Sequence, residues 1–211
     1  KALLIERQAV PPDSKLLATV EEPLKRIHSA REKRVARTEV FLENSDRDTH
    51  GRRVGRLRET NLGDLITDAF VWAAARLDDH SASKNKIIAL HNGGGIREDL
   101  DDDANGVITE HELGATLPFE NSLVIVHDVD VSALAALLEN SVSKLPAPAG
   151  RFLQISGIKF LYDVKREPGN RVLEIYLADN TPVWSNTREI EYDGLFDIVT
   201  NSFLAGEGQP D

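Results

Sequence analysis

The sequence predicts an α+β fold, and three observations carry that expectation. Apolar residues recur at helical spacing in three stretches before residue 143, a continuous apolar run stands at residues 87–90, and from Arg151 onward short β-branched runs alternate with turn residues at hairpin distances. Helices interleaved with strands in the first part, followed by hairpins in the second, make a mixed layered domain rather than a pure bundle or sandwich.

The chain has 211 residues, of which 41% are apolar, so it has the size of one domain with an appended helical segment and can bury a sizeable core. Its formal net charge of -10, with Lys and Arg striped nowhere beyond residue 60, is unsuited to tracking a polyanion, so no nucleic-acid partner is expected. No apolar run approaches the ~18 residues of a membrane span, and no signal peptide opens the sequence. Cysteine is absent, which leaves no disulfide framework and no thiolate metal site. The start at Lys1 and the finish in a Gly-Glu-Gly-Gln-Pro-Asp stretch read as a piece cut from a longer protein.

Taken in order, Leu3, Leu4 and Ile5 form a short apolar start, and Pro11-Pro12-Asp13 breaks the chain before a long helix with Leu16, Leu17, Val20, Leu24 and Ile27 on one face. Lys25, Arg26, Arg31, Lys33 and Arg34 crowd its far end, as suits the helix dipole, and read as a solvated terminus. Residues 35–42 have strand composition, and residues 43–58 are polar and read as an exposed loop. Leu62, Leu65, Ile66, Ala69, Phe70, Ala73 and Leu77 then make a continuous helical face capped by Thr60 or Asn61, with Phe70 and Trp72 expected in or near the core. Residues 122–127 read as a buried strand, and Asp130 as the cap of a helix carrying Leu134, Leu137, Leu138 and Val142. Strands are expected at residues 152–156, 158–162, 172–177 and 196–200.

Two loops carry chemistry. The run at 87–90 ends in His91-Asn92-Gly93-Gly94-Gly95-Ile96-Arg97. Three residues without a Cβ permit positive φ and close approach of a ligand to backbone amides, while Asn92 and Arg97 add an amide and a guanidinium fork. The turn suits an anionic or polar ligand; the alternative is a flexible turn after a buried strand. Further on, Asp101, Asp103, Asn105, Gly106, Val107, Thr109 and Glu112 match the twelve-position calcium loop. In competition with that reading, Thr109-Glu110-His111-Glu112 is also a capping box for a short helix.

Five stretches, in this order along the chain, resemble the successive signatures of the C-terminal domain of the 5′-nucleotidase family: 59–66 (Glu-Thr-Asn-Leu-Gly-Asp-Leu-Ile), 92–97, 117–121 (Leu-Pro-Phe-Glu-Asn), 150–157 and 200–205. The family includes UDP-sugar hydrolases, 2′,3′-cyclic-nucleotide phosphodiesterases and ecto-5′-nucleotidases. The resemblance implies a layered α/β sandwich at residues 55–211, preceded at 1–54 by an inter-domain linker helix and first strand. It implies a nucleotide or nucleotide-sugar substrate, an extracytoplasmic location, and an N-terminal metallophosphoesterase domain of the same protein that holds two divalent ions. That domain's signatures are not found in these residues, so no catalytic residue is expected here.

Carried over by the resemblance, Phe119 and Phe203 sandwich the nucleobase, Arg56 and Arg97 lie near ribose or phosphates, and Asn92, Gly94, Gly95 and Asn121 line the ligand. Without the resemblance, each Phe reads as ordinary core packing. Gln209 stands where the family has a ribose-binding Asp, with Asp211 able to replace it only if the loop shifts by two residues. The acidic stretch that includes Asp101, Asp103, Asn105, Val107 and Glu112 is longer than the family's turn and is the calcium candidate. Two further functions compete: a non-catalytic nucleotide- or metabolite-binding module, and a calcium-dependent interaction domain.

Overall fold

The computed structural model describes residues 33–44, 53–77, 84–101 and 105–206, together with 13, 15, 16, 19–21, 23, 25, 26 and 29, and the backbone alone of 3–5 and 8–10. Near the start, β1 (Leu3–Ile5) and β2 (Gln8–Val10) form an antiparallel pair. The described residues between 15 and 29 are helical, and both Leu16 and Val20 are exposed; Leu17, Leu24 and Ile27 lie outside the described residues, so the long helix as a unit stays an expectation.

The body is built on a four-stranded sheet in the order β6 (Leu123–Val129), β11 (Phe196–Asn201), β4 (Lys86–Asn92) and β7 (Leu153–Ser156). β4 and β11 are parallel, while β6 and β7 run against them. Alternation along the strands decides what lies on each face. Ile88 and Leu90 of β4, with Phe196 and Ile198 of β11, join Leu134, Leu138 and Val142 of α3 (Val131–Val142) in the main core. The same core takes Val172, Ile175 and Val183 from a second antiparallel sheet made of β8 (Ile158–Tyr162), β9 (Val172–Leu177) and β10 (Pro182–Ser185). On the opposite face, Ala89 and Val199 meet Ala74 of α1 (Asn61–Ala74), and the two alanines let that helix come close. Each fully buried Leu or Ile contributes on the order of 1.5–3 kcal/mol.

Residues 34–44, placed by the sequence before the expected boundary at residue 54, contribute to this body. β3 (Arg34–Arg37) pairs with β5 (Val107–Thr109), and Leu42 is buried with Leu62, Ile66, Ile96, Leu100 and Ile108. β3 is shorter than the expected strand at 35–42, because the chain bends after it and rejoins only through the bridge from Leu42 to Leu100.

The buried face of α1 is rotated from the one read in the sequence. Leu62, Gly63, Ile66, Thr67 and Ala74 are buried, whereas Leu65, Ala69 and Leu77 are exposed. Gly63 and Thr67 do not count as apolar in a periodicity, yet Gly63 makes room for the Gln154 side chain, and Thr67 satisfies its hydroxyl on Gly63 O at 2.9 Å. Trp72, expected near the core, is 60% exposed on the far side, with the Arg76 guanidinium 3.8 Å over its ring. Phe70 is half-buried. Thr60 is the cap, accepting from Gly63 N, while Asn61 ties the helix to the strand side by donating to Phe41 O and accepting from Glu43 N. β10 escaped the sequence reading because it is a short edge strand that opens with Pro182 and carries a bulge.

Candidate functional site

The topology brings four strand ends to one edge of the central sheet. β4 and β11 run toward that edge and finish at Asn92 and Asn201, while β6 and β7 start from it, just after Asn121 and Arg151. Crevices beyond the carboxyl ends of parallel strands are where α/β sheets commonly bind ligands. A cleft of about 590 Å³ opens there. Asn92, Gly94, Gly95, Phe119, Asn121 and Phe203, all named from sequence, line it together, joined by Lys144, Ala149, Gly150, Arg151 and Leu204. Phe119 and Phe203 are 52% and 53% exposed, so neither ring is core packing. Their loops are tied together by Ser202 N donating to Ser122 O at 2.9 Å and Ser122 N donating to Ser202 Oγ at 3.1 Å.

The three glycines are required by packing, and their backbone amides are not free for a ligand. None has positive φ. A Cβ on Gly93 would lie 2.0 Å from Gly55 O, one on Gly94 2.8 Å from Gly150 Cα, and one on Gly95 2.7 Å from His91 Cε1. Their amides are also spent within the fold: Gly93 N donates to Phe152 O, Gly94 N to Gly150 O and Gly95 N to Asn92 O. The turn is therefore no amide cradle for an anion, and recognition falls to side chains.

Those side chains include a cluster of arginines. Arg97 sits with its guanidinium 5.8 Å from the Phe119 ring centroid and donates from Nη1 to Gly94 O at 3.1 Å. Arg53 donates to Arg97 O at 3.1 Å. Arg56 is held below the usual arginine range, first by burial and then by the positive charges of Arg97 and Arg53, and its buried Nε has no hydrogen-bond partner among the described residues. Gln154 fixes the turn that carries Arg56: buried in β7, it donates to Gly55 O and Arg58 O and accepts from Thr60 N. Like-charged groups forced together in an acidic chain favour an anion between them.

His91 supports the glycine turn from behind. Its Nδ1 donates to Asn92 O at 3.0 Å, its ring meets Phe70 edge-on with centroids 5.6 Å apart, and burial lowers its pKa to about 4. The unfolded chain binds that proton near pH 6.5 and the folded chain only near 4, so stability is full above about 6.5 and falls as pH drops toward 4. Complete loss amounts to about 3 kcal/mol. Asp64, raised to about 6 by burial and then by Glu59 and Asp68, gives a slope of opposite sign, weakened by its partial exposure. Urea unfolding from pH 4 to 7.5 is expected to show a net loss of stability toward acid that His91→Gln removes; an unchanged slope in the variant would contradict the assignment to His91.

At the acidic loop, the capping box is formed. Glu112 Oε2 accepts from Thr109 N at 2.8 Å and from Thr109 Oγ1 at 2.7 Å, and Glu112 N donates to Thr109 Oγ1 at 3.3 Å, at the start of α2 (Glu110–Thr116). Asp101 Oδ1 accepts from Gly106 N at 2.7 Å, and Asn105 Oδ1 from Val107 N at 2.7 Å. Asp103 and Gln209 lie outside the described residues. Among the described residues, no group of three or more His, Asp or Glu could hold a metal ion.

Residues 34–210 match the family described as 5′-nucleotidase, C-terminal domain. The chain belongs to this family. Relatives of the domain include the mouse 5′-nucleotidase, 29% identical over 208 residues covering 97% of this chain and 34% of that protein. A snake venom 5′-nucleotidase from Gloydius brevicauda is 31% identical over 200 residues, covering 94% of this chain and 33% of its own length. The crystal structure of a 5′-nucleotidase precursor from Thermus thermophilus superposes with a TM-score of 0.68 at 27% identity, covering 98% of this chain and 40% of that one. The chain thus spans about a third of the curated relatives it matches. No helix of the described residues is long and apolar enough to cross a membrane.

Proposed function

We propose that this domain grips a nucleotide for hydrolysis, with the base between Phe119 and Phe203 and the ribose and phosphates along Arg97 and Arg56. A metallophosphoesterase domain of the same protein, holding two divalent ions that activate water, takes the phosphoester so presented. The kinship with 5′-nucleotidases supports the nucleotide and the partner domain, and the relatives named for snake venom support a place outside the cytoplasm.

The observation that carries the reading is the pair of half-exposed phenylalanines. They are far apart in sequence, yet they line one cleft beside the arginine cluster. Two large aromatic rings left in water at one cleft are costly unless a flat apolar partner covers them, and a nucleobase has the right shape and two π-faces.

Calorimetric titration of the chain with a nucleoside monophosphate tests this. Phe119→Ala is expected to weaken binding by about 1–3 kcal/mol while changing the unfolding free energy by less than the ~3–5 kcal/mol of a buried Phe truncation. A variant that loses stability on that larger scale, with affinity falling only as a consequence, would overturn the clamp.

A further inference from the structure

We infer that a recess behind Phe119, separate from the nucleotide cleft, binds a small neutral aromatic molecule through a hydroxyl that donates to His91 Nε2. The recess holds about 220 Å³, and a cavity of about 150 Å³ already takes a benzene ring. Phe70, Leu117, Phe119 and Leu123 form its apolar walls, and His91, only 4% exposed, is a polar group set into them. Phe119 also lines the cleft, so its ring is a wall that the two cavities share, and a molecule held in the recess packs against it from the other side.

His91 decides the chemistry of the occupant. Its Nδ1 carries the hydrogen given to Asn92 O, so Nε2 is an acceptor, and it has no hydrogen-bond partner among the described residues. Burial lowers the imidazole pKa to about 4, so the ring is neutral at pH 7 and Nε2 keeps its lone pair. The other buried side chain of the lining, Asn201, is spent: Oδ1 accepts from Leu204 N at 2.9 Å and Nδ2 donates to Asn92 Oδ1 at 3.1 Å. A water on Nε2 therefore finds apolar walls where a buried water needs two to four partners. A molecule with one donor and an otherwise apolar, flat body fits better, because Phe70 and Phe119 offer it ring contacts. Among the described residues no carboxylate lines the recess, so an ammonium would lose its hydration without gaining a counter-charge, whereas a neutral hydroxyl regains its hydrogen bond on Nε2.

Phenol is the probe, followed by amide chemical shifts of the 211-residue chain with no nucleotide present, so the outcome does not depend on the nucleotide reading. Phenol is expected to shift Phe70, His91 and Ser122 with a Kd on the order of 1 mM. Fluorobenzene, of like size but with no donor, should bind about fivefold weaker, and benzylamine, an ammonium at pH 7, weaker still. His91→Leu should bring phenol down to the affinity of fluorobenzene. Because His91 is buried, a second variant avoids it: Leu123→Trp, at an exposed strand position, fills the recess and should weaken phenol about tenfold or more, with the melting temperature of the parent kept. Shifts confined to Phe203 and Leu204 would put phenol in the cleft and overturn the site, as would phenol affinity unchanged by Leu123→Trp. Equal binding of phenol and fluorobenzene, or tighter binding of benzylamine, would overturn the hydroxyl bond to His91. No shift at about twenty times the expected Kd would remove the site altogether.

Discussion

Gly93→Ala is expected to cost about 3 kcal/mol or more of stability, at the upper end of overpacking effects, and to abolish nucleotide binding in the same step. The added methyl would stand 2.0 Å from the carbonyl oxygen of Gly55 and 3.1 Å from that of Phe152. Both obstacles are backbone, so no rotamer change relieves them. The Gly55 turn would have to move, and it carries Arg56 and is stapled to β7 by Gln154. Urea unfolding with a parallel titration reads both effects. Gly114→Ala is the internal control: nothing lies within 4 Å of a Cβ there, the residue sits in α2, and alanine should stabilise by up to about 1 kcal/mol. Equal behaviour of the two variants would contradict the packing role assigned to the triplet.

Arg171→Ala is expected to cost about 3–5 kcal/mol, because three backbone carbonyls lose a charged donor at once. Arg171 is buried, and its Nη1 donates to Val142 O at 2.6 Å and Leu145 O at 2.8 Å, while its Nε donates to Arg166 O at 3.0 Å. It thereby closes the C-terminus of α3, where orphan carbonyls gather. The next strand is tied to the same helix by Val172 N donating to Glu139 Oε1. Lysine restores the charge but not the fork that reaches three carbonyls, so Arg171→Lys should recover less than half of the loss. Chemical denaturation of the two variants decides it, and a cost below about 1 kcal/mol for Arg171→Ala would show that water replaces the guanidinium freely.

Much of the fold was legible because local signals agreed with the tertiary structure. Thr60 and Asp130 cap the helices they precede, and the apolar run at residues 87–90 is the centre of β4. What the sequence concealed was non-local. The rotated face of α1 depends on Gln154 lying against Gly63, and no periodicity contains that partner. The glycine triplet looked like a ligand cradle because a turn with no side chains reads alike whether a ligand or another backbone fills the space; here Gly55 and Gly150 fill it. At the site, Phe119 and Phe203 were recognisable only through resemblance, since an isolated Phe reads as core until its strand end is known. Lys144 and Arg151 carried no signal of their own, being exposed cations, the commonest surface residues. Arg151 reaches the cleft because β7 pairs antiparallel with β4 and so begins beside Asn92, and Lys144 because it follows the end of α3 at the same cleft.

A crystal structure of the chain with a nucleoside monophosphate is expected to show the base lying between the rings of Phe119 and Phe203 at about 3.5 Å stacking distance from each, with its phosphate turned toward Arg97 and Arg56. A base bound outside the two rings, or a phosphate seated away from both arginines, would contradict it.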